Sequence, residues 1–140
     1  AEAIKLFVSV YPDSKYVSEC NILLDKLRSK LAMKAYKSAK LYYNIGEYKS
    51  AIVSLQNVIK DYPEIAQKEE LDFLTLKSHY LLAHNSIEKK QLERFQAGLE
   101  FYAYFVAEYP NSKYLNEAKT IATKMEMELR KINNQTATIK

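Results

Sequence analysis

Two histidines, a lone cysteine and a short acidic run are the side chains of this sequence best equipped to bind a metal or move protons. His79 and His84 stand five residues apart, which turns them to different sides of a helix, whereas a shared metal ion wants an i, i+4 pair. They read as ordinary surface or partly buried histidines. Cys20 has no disulfide partner and no ligand spacing around it, and reads as a small buried apolar residue on a helix. Glu69, Glu70 and Asp72 read as an acidic first turn that answers the helix dipole. The sequence holds no nucleophile–base pair, Gly-rich phosphate loop or ligand cluster, so it predicts no catalytic residue, no cofactor and no metal. What remains is recognition chemistry. Twelve tyrosines supply apolar bodies with polar tips, and Lys26, Lys30, Lys34, Lys37 and Lys40 gather on one side of a predicted helix.

The elements that must carry these groups are marked by proline. Tyr11-Pro12-Asp13-Ser14-Lys15-Tyr16 returns as Tyr109-Pro110-Asn111-Ser112-Lys113-Tyr114, and a degenerate copy, Tyr62-Pro63-Glu64, lies between them. Each of these three prolines, all that the chain has, follows an apolar run of helical period. A helix, a proline stop and another helix at wide fixed spacing predict a stacked helical array. With two glycines in 140 residues, the many hairpins of an all-β protein are excluded. No stretch reaches the roughly 18 apolar residues of a membrane span.

Ile4, Phe7 and Val8 form one face of a helix that ends at Tyr11-Pro12 without a start signal, so the chain is expected to begin inside a repeat. Its first residues, with Glu2 and no cleavage pattern, do not read as a signal peptide. Ser14 is a capping residue for a helix of roughly 30 residues, about 45 Å long, ending at Gly46. Leu24, Leu27, Leu31, Ala35, Ala39 and Tyr42 share its broad apolar face, and Arg28 breaks the pattern by landing within that arc. Tyr48 to Ile59 predicts a short helix up to Pro63. A further helix begins near Ala66 or Gln67, with a stripe of Leu71, Leu74, Ser78, Leu81 and Leu82 that fades after Ile87. Glu88-Lys89-Lys90-Gln91-Leu92-Glu93-Arg94 reads as a solvated loop. Leu99 to Val106 lead to Pro110, and Tyr114 to Ile132 makes a last helix with Leu115, Ala118, Ile121, Ala122, Met125 and Leu129 buried. The expected layout is an all-α repeat domain over residues 1–133, of stacked antiparallel helix pairs, with a frayed polar tail over 134–140.

Residues 32–65 resemble the tetratricopeptide pattern. Ala39 and Ala51 stand at the small crossing positions, Gly46-Glu47-Tyr48 at the turn, and Leu55, Val58 and Pro63 complete it. On that template Met33, Tyr36, Lys40, Tyr43 and Asn44 turn toward the inner groove, where an extended peptide would find rings and polar tips. The other reading packs Tyr36 and Tyr43 against the preceding helix. The lysine row, with Lys30, Lys34 and Lys37 at its centre, is either a dock for an acidic partner or a solvated face. At a formal net charge of +4 and without paired arginines it is a poor phosphate-binding surface, so no nucleic acid is expected.

A narrower resemblance reaches over roughly residues 1–87. Leu27-Arg28-Ser29-Lys30-Leu31-Ala32, Ala39-Lys40-Leu41-Tyr42-Tyr43, Gly46-Glu47-Tyr48-Lys49-Ser50-Ala51 and Asp61-Tyr62-Pro63 follow Tyr11-Pro12 in order. Together they resemble the C-terminal half of the BamD family, lipoproteins of the outer-membrane β-barrel assembly machine. The 34 residues from Pro12 to Gly46 share in that likeness. The resemblance implies a periplasmic scaffold on the outer membrane, held by an N-terminal lipidated cysteine for which mid-helix Cys20 cannot stand. Its implied partners are the POTRA domains of BamA, other subunits of the machine and unfolded outer-membrane proteins. Two rival readings remain, a general tetratricopeptide peptide-binding adaptor of another complex and a non-catalytic helical domain of a larger enzyme.

Overall fold

The computed structural model describes residues 16–139, and within them the chain is all-α. Five helices follow one another: α1 (Tyr16–Asn44), α2 (Tyr48–Asp61), α3 (Lys68–His84), α4 (Glu88–Glu108) and α5 (Leu115–Ile139). Each packs chiefly on its neighbour in sequence, as stacked helical hairpins do. Side-chain pairs fix the directions. Tyr36 meets Glu70 and Tyr43 meets Lys77, so α1 and α3 run parallel. Lys68 meets Glu108 and Asp72 meets Tyr104, so α3 and α4 run antiparallel. Phe73 on Tyr114 and Lys77 on Glu117 set α5 parallel to α3.

The long helix is there, 29 residues without interruption. It stops where Gly46 takes φ +84°, a value that side chains with a Cβ resist. The Glu47 amide then bonds to the Tyr42 carbonyl and the Gly46 amide to that of Tyr43, which occupies two carbonyls the helix would leave orphaned. The two described Tyr-Pro turns repeat one geometry. The Tyr62 amide closes on Val58 and the Tyr109 amide on Phe105, each ending its helix just before proline. Ser112 then accepts from the Tyr114 amide at 3.0 Å as α5 begins. The corresponding Ser14, with the first Tyr-Pro unit up to Lys15, lies outside the described residues.

Two apolar clusters form the core. One gathers Ala39, Ala51, Leu55, Val58, Leu71 and Leu74; the other Phe73, Leu76, Ala83, Phe95, Phe105, Ala118, Ile121 and Met125. Helix α3 belongs to both, and its residues from Leu71 to Leu76 are buried without exception. Where α4 crosses α5, Gly98 leaves room for the Met125 thioether, which would stand 2.6 Å from a Cβ at that position.

Four expectations are corrected. The charged segment Glu88–Arg94 is not a loop but the first turns of α4. Its residues are good helix formers, and their polar ends have work to do there: the Gln91 amide donates to the carbonyls of Ala83 and His84, and Arg94 donates to Ser86 at 2.5 Å. The last helix does not stop at Ile132, because nothing among Asn133 to Thr138 breaks it, and it continues to Ile139. Asp72 does not belong to the acidic first turn of α3, which holds Glu69 and Glu70. It is fully buried and accepts from Gln56 (2.9 Å), Tyr104 (3.0 Å) and Tyr109 (2.6 Å). Finally, the broad apolar face of α1 is divided. Ala39 is buried and Ala35 half-buried toward α2, while Leu27, Leu31 and Tyr42 are exposed.

Candidate protein-binding surface

The parallel helices α1, α3 and α5 follow one another across the stack, and Tyr36, Lys40, Tyr43 and Glu70, of the groups singled out above, lie where they face each other. Tyr36 of α1 donates its hydroxyl to the Glu70 carboxylate of α3. Lys40, one turn on, donates to the Tyr36 oxygen at 3.3 Å and pairs with Glu70 at 3.5 Å. Burial first, and then the bond to Glu70, raises the Tyr36 phenol above its ordinary range. The hydrogen bond to Tyr36 and the charge of Glu70 raise Lys40, so it stays a cation. One turn further, the Lys77 ammonium lies 5.9 Å from the Tyr43 ring and 5.5 Å from the Phe73 ring, and bonds to Glu117 of α5 at 3.1 Å. Burial pulls Lys77 down, but its bonds to Glu117 and Tyr43 outweigh that and hold it above the usual lysine range. Phe73 stacks on Tyr114 at 4.4 Å with the rings nearly parallel, 9° apart.

Beside this band a trough runs along α1. Its first part, about 400 Å³, lies between Asp25, Arg28, Ser29, Ala32 and Met33 on one wall and Tyr62, Glu64, Ile65, Ala66 and Gln67 on the other. Its second part, about 280 Å³, shares Ala66 and Gln67 and ends among Tyr36, Glu69, Glu70, Lys113 and Tyr114. Arg28 spans the first part. Its Nε bonds to Glu64 at 2.6 Å and its Nη2 to the Asp61 carbonyl at 2.8 Å, while its guanidinium lies 4.9 Å from the Tyr62 ring. That clasp draws the Glu64 carboxyl below the usual carboxylate range. It links α1 to the turn that follows α2 across the mouth of the trough. The trough's lining is apolar at Ala32, Met33, Ile65 and Ala66 and charged at Asp25, Arg28, Glu64, Glu69, Glu70 and Lys113.

Of the residues predicted from the sequence, the structure brings Tyr36, Lys40 and Tyr43 together along the α1–α3 seam. Their polar tips are engaged with α3, and both tyrosines pack against the first apolar cluster, while the preceding helix that the second reading invoked lies outside the described residues. Met33 is exposed and lines the trough. Asn44 is exposed at the end of α1, outside either cleft. Lys30, Lys34 and Lys37 are exposed, and none pairs with an acidic group among the described residues. The reading of the sequence missed Tyr62, Glu64, Ile65 and Gln67, which form the second wall. The signal was Arg28: a cation inside an apolar arc needs a partner, and the nearest turn supplied it.

His79 and His84 stand apart. Burial lowers the His79 imidazole, which lies 5.4 Å from Phe101, and His84 is exposed beside Tyr80. Cys20 is half-buried and free, where the sequence had placed it in a core. Among the described residues no three metal-ligating groups converge, and no helix is long and apolar enough to cross a membrane.

The trough takes in α1, the turn after α2 and the start of α3, completed by Lys113 and Tyr114. Comparison with curated proteins returned no match. The model of the outer membrane lipoprotein family YfiO, however, matches residues 1–95, more than half of the chain and all of the trough but those last two residues, and the chain belongs to that family.

Proposed function

We propose that this chain is a non-catalytic scaffold of outer-membrane protein assembly, working from the periplasmic face of the membrane. Membership of an outer membrane lipoprotein family places it with the outer membrane of the envelope and with protein partners there. In this reading its hairpins are tetratricopeptide-like repeats, its anchor is a lipid carried at the N-terminus of the full-length protein, and its partners are BamA, through its POTRA domains, and segments of unfolded outer-membrane proteins. The observation that carries the reading is the trough. It is lined by Ala32, Met33, Ile65 and Ala66, Arg28 and Glu64 bridge it, and it lies in the part of the chain that the family model covers. A preformed groove with a few fixed polar groups suits an extended segment, because little ordering remains to be done on binding.

A pulldown of the chain against a BamA POTRA array tests the reading. Met33→Glu places a charge in the apolar lining of the trough, and Lys34→Glu with Lys37→Glu reverses the outer lysine row. The expected result is capture by the unaltered chain and a loss with at least one of these variants, each checked for helicity by circular dichroism. No capture of the array by the unaltered chain, or equal capture by all, would overturn it.

A further inference from the structure

One carboxylate joins three helices in the interior. Asp72 of α3 is fully buried, and its Oδ1 accepts from the Gln56 amide of α2 at 2.9 Å. Its Oδ2 accepts from two hydroxyls, that of Tyr104 in α4 at 3.0 Å and that of Tyr109, which caps α4, at 2.6 Å. The Gln56 amide is shared: it also donates to Thr75, one turn along α3, at 2.9 Å, and Thr75 donates in turn to the Leu71 carbonyl at 2.8 Å. None of these partners is a cation, and Lys68, at the start of the same helix, is paired with Glu108 instead. Among the described residues no buried side-chain nitrogen or oxygen lacks a partner.

From this node we infer that Asp72 is a positioning residue, whose carboxylate selects a single sliding and rolling position of α2 and α4 on α3 and so sets the angle between the first hairpin and the second. The apolar clusters on either side of α3 draw the helices together, but burial has no direction of its own and rewards neighbouring registers nearly alike. Hydrogen bonds have both direction and length. Moving α2 along α3 by one turn, about 5.4 Å, parts Gln56 from Asp72 and Thr75, and rolling α4 withdraws Tyr104 and Tyr109. Either shift leaves a buried carboxylate short of donors, which costs more than the same bonds contribute when they are made. Stability alone does not call for a carboxylate here, because apolar side chains of similar volume often serve such a site as well. Asp72 holds the hairpins at one angle whatever the chain's partner.

Spin labels on the full chain test this. Asn57→Cys in α2 and Glu126→Cys in α5 are both exposed, and Cys20→Ser removes the natural thiol, so double electron–electron resonance reads the angle as one distance. With Asp72 in place that distance should be single and narrow. Asp72→Leu should spread it, or add a second distance shifted by up to about 5 Å, one helical turn, while circular dichroism keeps its helical signal. Gln56→Met removes only the bond from α2 and leaves both tyrosines on Asp72. It should spread the distance in the same way, and it reads the tie even where Asp72→Leu fails to fold. Asp72→Asn should stay narrow, since its carbonyl still accepts from the tyrosines and a turned Gln56 amide accepts from its nitrogen. Phe105→Ala should stay narrow too, although it lowers stability. An unchanged distance in Gln56→Met, or in a folded Asp72→Leu, would overturn the inference by leaving the angle to the apolar clusters. An equal spread in Asp72→Asn or in Phe105→Ala would overturn it as well, by separating the spread from this bond pattern.

Discussion

Helices α1 and α3 hold corresponding places in successive hairpins, yet α3 has eight buried residues among seventeen and α1 has only Ala39 among twenty-nine. Each carries five leucines, but α1 spreads them over twenty-nine residues and adds more cations, so composition accounts for part of the difference. The number of described neighbours differs as well. Helix α3 is packed by α2 on one side and by α4 and α5 on the other, while among the described helices α1 is packed chiefly by α2. Burial follows position in the stack as well as sequence. Among the described residues, the enclosed helix carries much of the core, and α1 keeps most of its residues outside it.

Substitutions should separate the two regions sharply. Phe105→Ala, beside α3 in the second cluster, should cost about 3–5 kcal/mol in denaturant unfolding, because a fully buried ring leaves a cavity that neighbours cannot fill. An effect below about 1 kcal/mol would mean that the enclosed region is not tightly packed. Gly98→Ala should cost about 1–3 kcal/mol, since the new methyl must displace the buried Met125 thioether. Tyr109→Phe should cost about 1–2 kcal/mol by removing one donor from the buried Asp72 carboxylate. On α1, Leu27→Ser with Leu31→Ser should stay within about 1 kcal/mol of the original stability.

Alkaline pH sharpens the contrast in another way. Burial first, and then the Asp72 charge, pushes the Tyr104 phenol up to about 12, and Tyr109 is raised by burial and by its bond to Asp72. An unfolded tyrosine loses its proton near pH 10, so between there and about 12 the folded chain holds protons that the unfolded chain has lost. This contribution is fully present below pH 10 and declines as pH rises through the folded values. Thermal unfolding followed from pH 9 to 12 should show a falling midpoint, and Tyr104→Phe with Tyr109→Phe should flatten the fall. An equal slope in the double variant would detach it from the Asp72 site.

What could be read from the sequence was what is settled locally. Gly46 and the prolines at 63 and 110 act on their own turns, so helix ends and the length of α1 were legible before any packing was known. Asp72 was not, because its burial is decided by Tyr104 and Tyr109, more than thirty residues away, and by Gln56 on the other side. The segment Glu88–Arg94 misled for a related reason. Its charges do point outward, but solvent exposure is compatible with a helix as well as a loop, and the end of α3 needed Gln91. Two residues of the cleft walls, Met33 and Tyr36, came from the tetratricopeptide template, while the wall opposite comes from a turn that Arg28, a cation inside an apolar arc, holds.

The double membership of α3 has a mechanical consequence. Leu71 and Leu74 anchor one cluster and Phe73 and Leu76 the other, so the two hairpins cannot pivot about a seam between them without unpacking a helix on both flanks. Hinge bending there would cost much of the stability of the whole unit. A load applied at α1 should therefore reach α5 as a shift of one stiff lever, keeping whatever is held at the two ends at a set distance and angle.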